Sequence, residues 1–202
     1  VVVGLAAEAR TARRLGHTVA IGGGGAAGAE QAARRLVAGG ATALLSFGLC
    51  GGLDPALRPG ALLIPRAVLD GATRYAADPA LAARFGGITP HLLLGGTQVA
   101  ATAAEKRQLW DATGAAAIDL ESGAVARVAA ASGLPFAVVR AVCDSAGQDL
   151  PPAALIALDA KGAIGLTRLL ASLAARPGQL PALLALARCA AAARRSLLRA
   201  VA

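Results

Sequence analysis

The chain has 202 residues, with 20 Lys and Arg against 12 Asp and Glu, a formal net charge of +8. Hydrophobic residues make up 56% and charged residues 16%, which excludes a disordered chain at a length suited to a single domain spanning 1–202. The charge is almost all arginine, since Lys106 and Lys161 are the only lysines, and the aromatics stop at Phe47, Phe85, Phe136, Tyr75 and Trp110; so few stacking side chains argue against a nucleic-acid partner.

Strand-like and helix-like patterns alternate along the chain. Residues 1–5 form a short apolar run, and 6–15 favour a helix. Residues 18–21 are a second β-rich run, followed by four glycines at 22–25. A helix is expected over 26–37, with Arg34 and Arg35 near its end, where the dipole favours cations, and Gly39-Gly40 as its stop. Residues 42–47 read as a buried strand, and Pro59-Gly60 as the turn into another at 60–69. Asp78-Pro79 starts a short helix, with Asp as N-cap and Pro in the first turn. Residues 91–94 are strand-like, and 102–110 are helical behind the capping box of Thr102 and Glu105. A strand at 115–120, a helix at 122–131 and a long strand at 135–143 follow. Helices over 151–175 and 180–201 flank a break at Arg176-Pro177-Gly178. This alternation predicts an α/β layered domain with a twisted, parallel or mixed sheet flanked by helices.

Three places carry chemistry. Gly23-x-Gly25-x-x-Gly28 follows a strand and opens a helix, as a dinucleotide fingerprint does. The acid that should end the next strand is missing, since Asp54 comes only after a further glycine turn. The loop is left as an anion cradle of backbone N–H groups, or as a plain strand-to-helix turn. Gly48-Leu49-Cys50-Gly51-Gly52-Leu53 follows a buried strand and is expected to turn. Asp119 and Glu121 end one strand and Asp144 ends another, so the acids converge on one rim of the sheet. Capping offers Glu121 and Asp144 a structural role instead.

Other chemistries lack their residues. Cys50, Cys143 and Cys189 are odd in number and widely spaced, which fits neither a disulfide framework nor a metal knuckle and suits a cytoplasmic setting. The opening Val1-Val2-Val3-Gly4 has no charged leader region, and glycines interrupt every long apolar stretch. His17 and His91 are remote from each other, so no metal site is expected. The helix at 180–202 sets Arg188, Arg194, Arg195 and Arg199 among leucines. It either packs with its arginines in water or lies on an anionic membrane surface.

The glycine segment 48–53, Asp119-Leu120-Glu121-Ser122 and Val139-Arg140-Ala141-Val142-Cys143-Asp144 occur in an order that resembles the purine nucleoside phosphorylase and methylthioadenosine nucleosidase superfamily. The likeness spans roughly residues 1–175. The stretch from Gly4 to Arg10, the glycines at 22–25 and the Arg/Leu-rich last helix look most like the hopanoid-associated phosphorylases, which act on adenosylhopane. That resemblance implies release of adenine by cleavage of a purine N-ribosyl bond. Phosphate stands ahead of water as nucleophile, and inorganic phosphate is a co-substrate rather than a cofactor. It further implies a lipid-linked nucleoside substrate, a homo-oligomer and peripheral membrane contact.

Residue by residue, Asp144 would protonate N7 of the leaving purine, and Glu121, with Leu120 and Asp119, would hold the ribose. Glu8 falls near the water-orienting acid of the nucleosidases. Gly4, Gly23, Gly24, Gly48 and Leu49 would face the nucleophile, with Arg10 as phosphate ligand. Val99 and Cys143 would meet the base, although many members carry Phe and Ser there, and Ser or Thr in place of Leu49. An acid that must hold a proton when it acts is expected in an apolar setting, which the run before Asp144 supplies. A methylthioadenosine-type nucleosidase and a non-enzymatic nucleotide-binding module, with Asp144 as a cap, stand as alternatives.

Overall fold

The computed structural model describes residues 1–156 and 175–202. Among them, nine strands form one mixed sheet flanked by helices. The strands are β1 Val2–Val3, β2 Ala20–Ile21, β3 Leu44–Gly52, β4 Leu62–Leu63, β5 Pro65–Asp70, β6 Thr73–Ala76, β7 Thr89–Gly95, β8 Ala117–Asp119 and β9 Phe136–Asp144. The helices, in chain order, are α1 Ala6–Ala12, α2 Ala26–Ala38, α3 Pro79–Ala83, α4 Ala103–Thr113, α5 Ser122–Ala131, α6 Pro152–Ile156 and α7 Leu180–Ala200. The helix expected over 151–175 therefore begins as expected, and most of it lies outside the described residues.

β3 is the hub of the sheet. It runs parallel to β1 (Val2 opposite Ser46) and to β9 (Leu44 opposite Phe136, onward to Gly51 opposite Asp144). Its last two residues pair antiparallel with β8. The chain thus carries β3 straight through Gly48, where a turn was expected, because β9 and then β8 supply partners along its whole length. A register shift between Cys50 and Gly51 sets Gly51 opposite Asp144. Such bulges re-aim side chains beside functional sites.

The run at 60–69 also divides. β4 pairs antiparallel with β9, whereas β5 pairs parallel with β7 and antiparallel with β6. The change of partner falls at Ile64-Pro65, where proline has no N–H to give a ladder. The hairpin to β6 was not foreseen, although Asp70-Gly71 is a recognised hairpin signal and Gly71 takes φ +58°.

Period-two alternation sorts the core. Val138 and Val142 of β9 join Leu44 and the small faces of α2 and α5 (Ala29, Ala32, Val125, Ala129). Ala137, Val139 and Ala141 join Phe47, Leu45 and α1, α3 and α7 on the other face. On α7, Ala193 and Leu197 are buried and Ser196 Oγ donates to Gly60 O at 2.7 Å. Its four arginines are exposed, so the second half of that helix packs on the sheet with its charges in water. Among the described residues no helix is long and apolar enough to cross a membrane.

Candidate active site

Arg140 sits on the α5 side of β9, in line with Val138 and Val142, and is 1% exposed. A lone guanidinium buried so deeply would be costly, and here it is surrounded by acceptors. Its Nη2 donates to Glu121 Oε2 and Ser46 Oγ, both at 2.8 Å, and to Ser122 Oγ at 3.2 Å. Nη1 donates to Leu49 O at 3.2 Å. Nε lies 2.5 Å from Asp119 Oδ2 as an ion pair, outside hydrogen-bond alignment. Burial opposes the charge, but Asp119, Glu121 and Glu8 outweigh it and hold Arg140 above its ordinary value.

Glu8 reaches the same place from α1. Its Oε2 accepts the Leu5 N–H at 2.8 Å, the acidic half of a capping box, and its Oε1 accepts the Leu49 N–H at 2.8 Å. Burial pushes its carboxyl up, and Arg140 and the backbone donors offset only part of that. Glu121 is pushed up to about 7, first by burial and then by Asp119 and Glu8, with Arg140 pulling the other way. Gly4 separates the two glutamates: a Cβ there would collide with Glu121 Oε1 and stand 3.5 Å from Glu8 Oε2. At Gly48 a Cβ would lie 2.5 Å from both Arg140 Nη1 and Glu8 Oε1. Glycine at 4 and 48 therefore makes room for the charges rather than for a turn.

Asp144, at the end of β9, is 4% exposed. Its Cα is about 13 Å along the strand from that of Arg140, at about 3.3 Å per residue. The apolar setting expected around it is not found. Lys106 Nζ lies 2.5 Å from its Oδ1 and also donates to Ser145 O at 3.0 Å and Gln148 O at 2.8 Å. Cys143 Sγ donates to Oδ2 at 3.3 Å, and burial, with Asp144 next, holds that thiol well above its usual range. The Cβ position of Gly51 is 3.5 Å from both Asp144 oxygens, so β3 sets a glycine against each of the two polar clusters.

Several expectations change in detail. Asp119 is tied into the local structure. Its Oδ1 accepts Ser122 N at 2.9 Å and Glu121 N at 3.2 Å, its Oδ2 takes the Ser122 hydroxyl, and the carboxylate pairs with Arg140. The capping role weighed for Glu121 thus belongs to Asp119, and Glu121, which makes no side-chain cap, turns to Arg140. Leu120 is half-buried between them. Arg10 is exposed on α1, two residues beyond Glu8. Leu49 comes to the site through its backbone, with its N–H on Glu8 and its carbonyl on Arg140.

The glycine loop is partly spent on the sheet: Gly22 N–H donates to Val3 O at 2.8 Å and Gly23 N–H to Gly4 O at 3.0 Å. Gly24 completes the turn at φ +80°, and the Cβ position of Gly28 would collide with Gly22 O, so the spacing that resembles a dinucleotide fingerprint serves close packing. Val99, in the loop after β7, is 48% exposed.

Two residues of the cluster were not singled out as site residues in the sequence. Arg140 lay inside the motif that pointed to Asp144. Lys106 had a signal of its own: it is one of two lysines in an arginine-rich chain, placed early in a helix, where the dipole disfavours a cation.

The family model described as Phosphorylase superfamily matches residues 7–94 and 91–174. No curated protein sequence matches the chain. Among solved structures, the S-adenosylhomocysteine nucleosidase of Streptococcus pyogenes, in complex with 5-methylthiotubericidin, superposes with a TM-score of 0.63 at 20% identity, over 72% of this chain and 83% of that one. The MTA/SAH nucleosidase of Streptococcus pneumoniae gives 0.64 at 17% identity, over 72% and 85%. A futalosine hydrolase mutant of Helicobacter pylori gives 0.62 at 16% identity, over 70% and 86%.

Proposed function

The chain belongs to the phosphorylase superfamily, and from that premise we propose that it cleaves the N-ribosyl bond of a purine ribonucleoside with water as nucleophile. The observation that carries this reading is the pair of buried polar clusters spaced along the paired strands β3 and β9. Glu8, Glu121 and Arg140 meet at one end, and Asp144 stands at the other. A nucleoside laid along these strands has its base at Asp144 and its sugar at Glu121.

In this reaction Asp144, paired with Lys106 as a carboxylate, takes up a solvent proton on Oδ2 and passes it to N7 as the C1′–N9 bond breaks and the bonding pair moves into the purine. Glu121 accepts hydrogen bonds from the ribose hydroxyls, which strengthen as the sugar gains oxocarbenium character. Glu8 accepts a proton from the water whose oxygen bonds to C1′. A proton donor of this kind contributes roughly 10²–10⁴-fold.

The site favours water over the phosphate that the resemblance put first. The side chain beside the nucleophile position is a carboxylate, which repels a phosphate anion and can orient and deprotonate water. The cation that Glu8 faces, Arg140, is already committed to Asp119, Glu121 and two serines, and Arg10 points to solvent. The solved structures named above are a nucleosidase pair and a hydrolase, which agrees with water as the attacking group. A hopane at the 5′ position extends this reading, on the strength of the resemblance and the apolar composition; a lower KM for a long apolar 5′ substituent than for a methylthio group would support it.

The test is incubation of the protein with methylthioadenosine, with and without phosphate, followed by chromatography for free adenine. The expected result is adenine at equal rates in both. Adenine that appears only with phosphate would overturn the choice of water, and no adenine from any purine ribonucleoside would overturn the reading.

A further inference from the structure

The catalytic acid does not stand alone. Lys106 is fully buried, and each of its three ammonium protons has an acceptor: Asp144 Oδ1 at 2.5 Å, Ser145 O at 3.0 Å and Gln148 O at 2.8 Å. Its helix grips the same loop at two more points. Ala103 N–H donates to Asp149 Oδ1 at 2.7 Å, and Leu150 N–H donates to Ala101 O at 2.7 Å. The segment that follows Asp144 is therefore bolted to the start of α4. A compact ammonium suits three converging acceptors, and a planar guanidinium does not. That requirement explains why this position is lysine in a chain whose only other lysine is Lys161.

We propose that Lys106 is the positioning residue for the acid of the proposed reaction, an inference that rests on that reading. By holding Oδ1, it leaves Oδ2 to face N7; Oδ2 takes a 3.3 Å contact from Cys143 Sγ, a weak donor. As C1′–N9 breaks and its electron pair enters the imidazole ring, the Oδ2–H bond breaks and N7–H forms. The electron pair of that O–H bond stays on Asp144. The ammonium beside it keeps its three protons and offsets the new negative charge. Lys106 therefore acts on base departure through Asp144 and not on the sugar.

That division gives a readout which a purely structural lysine would not produce. The 6-chloropurine counterpart of methylthioadenosine has the same sugar but a base that leaves with less help from a proton. Lys106→Met should lower kcat for methylthioadenosine by about 100-fold and for the chloropurine substrate by less than about tenfold, with KM nearly unchanged. In an Asp144→Asn background, adding Lys106→Met should cost no further activity, because the two residues act as a unit. This pair of variants decides the matter even if Lys106→Met alone fails to fold, since the double variant removes both buried charges. Equal losses on the two leaving groups, or a double variant well below Asp144→Asn, would overturn the inference alone. A parent protein that releases base from neither substrate would overturn the proposed function and this inference with it.

Discussion

Two buried cations organise the two polar clusters in different ways. Arg140 is carried on a central strand, and its forked donors spread over Asp119, Glu121, Ser46, Ser122 and the Leu49 carbonyl. Lys106 is carried on a helix and directs a point charge at one carboxylate and two loop carbonyls. At the first end, three acids surround one cation, so protons must be shared, and burial raises both Glu8 and Glu121. At the second, one acid meets one cation. The comparison teaches that the Arg140 end is an electrostatic frame built into the sheet. The Asp144 end is a single acid whose geometry depends on a helix and a loop.

The sharpest way to break this picture is at Asp144. Asp144→Asn keeps the shape and removes the acid, so kcat for base release should fall by roughly 10²–10⁴-fold; it also leaves the buried Lys106 ammonium without its carboxylate, so the melting temperature should fall with it. Near-normal turnover would show that the base end is not where the proton comes from. Arg140→Leu should act on the fold instead. It leaves Glu121, Asp119 and Glu8 without their shared partner, and breaking such a buried pair costs about 3–5 kcal/mol. Urea unfolding measures that loss, and a variant of parental stability would contradict the frame.

Glu121→Gln separates frame from ligand. If Glu121 holds the ribose hydroxyls, kcat/KM for a ribonucleoside should fall by about 10- to 100-fold, and the 2′-deoxynucleoside should suffer much less. Equal losses on both sugars would make Glu121 a structural partner of Arg140 and nothing more.

The smallest effect concerns pH. Glu121 lies at about 7 in the folded protein against an ordinary value of 4.5, so the folded state holds the extra proton between those values. Stability contributed by that proton is complete below about 4.5 and is lost as pH rises through about 7. Unfolding free energy should therefore decline across that window, and Glu121→Gln should flatten the decline. A slope that survives the substitution would place the shared proton on Glu8.

Much of this was legible in the sequence, and the limits have physical causes. Capping and hydrophobic period gave most of the helices and the buried strands, because those are local signals: Thr102 does accept from Glu105 N, and Asp78 does accept from Leu81 N. Strand ends were not local. β3 runs on through Gly48 and Gly51 because β9 and β8 pair with it, and no window of sequence contains those partners. The acids Glu8, Glu121 and Asp144 could be named from motifs, and the structure brings Glu8 and Glu121 together at Gly4 and Arg140. The surroundings of Asp119 and Arg10 were not legible, because sequence spacing does not tell which oxygen already accepts a hydrogen bond or which side of a helix faces water. Lys106 was missed for the same reason. Its partner lies 38 residues away, and only the folded chain brings an ammonium to the acid.

The central claim is that water attacks C1′ at the Glu8 end while the base leaves at the Asp144 end. Cleavage of methylthioadenosine in ¹⁸O-enriched water, in the presence of phosphate, tests it most directly. The account predicts free adenine and a reducing sugar that carries the heavy oxygen at C1. An unlabelled sugar 1-phosphate would contradict it.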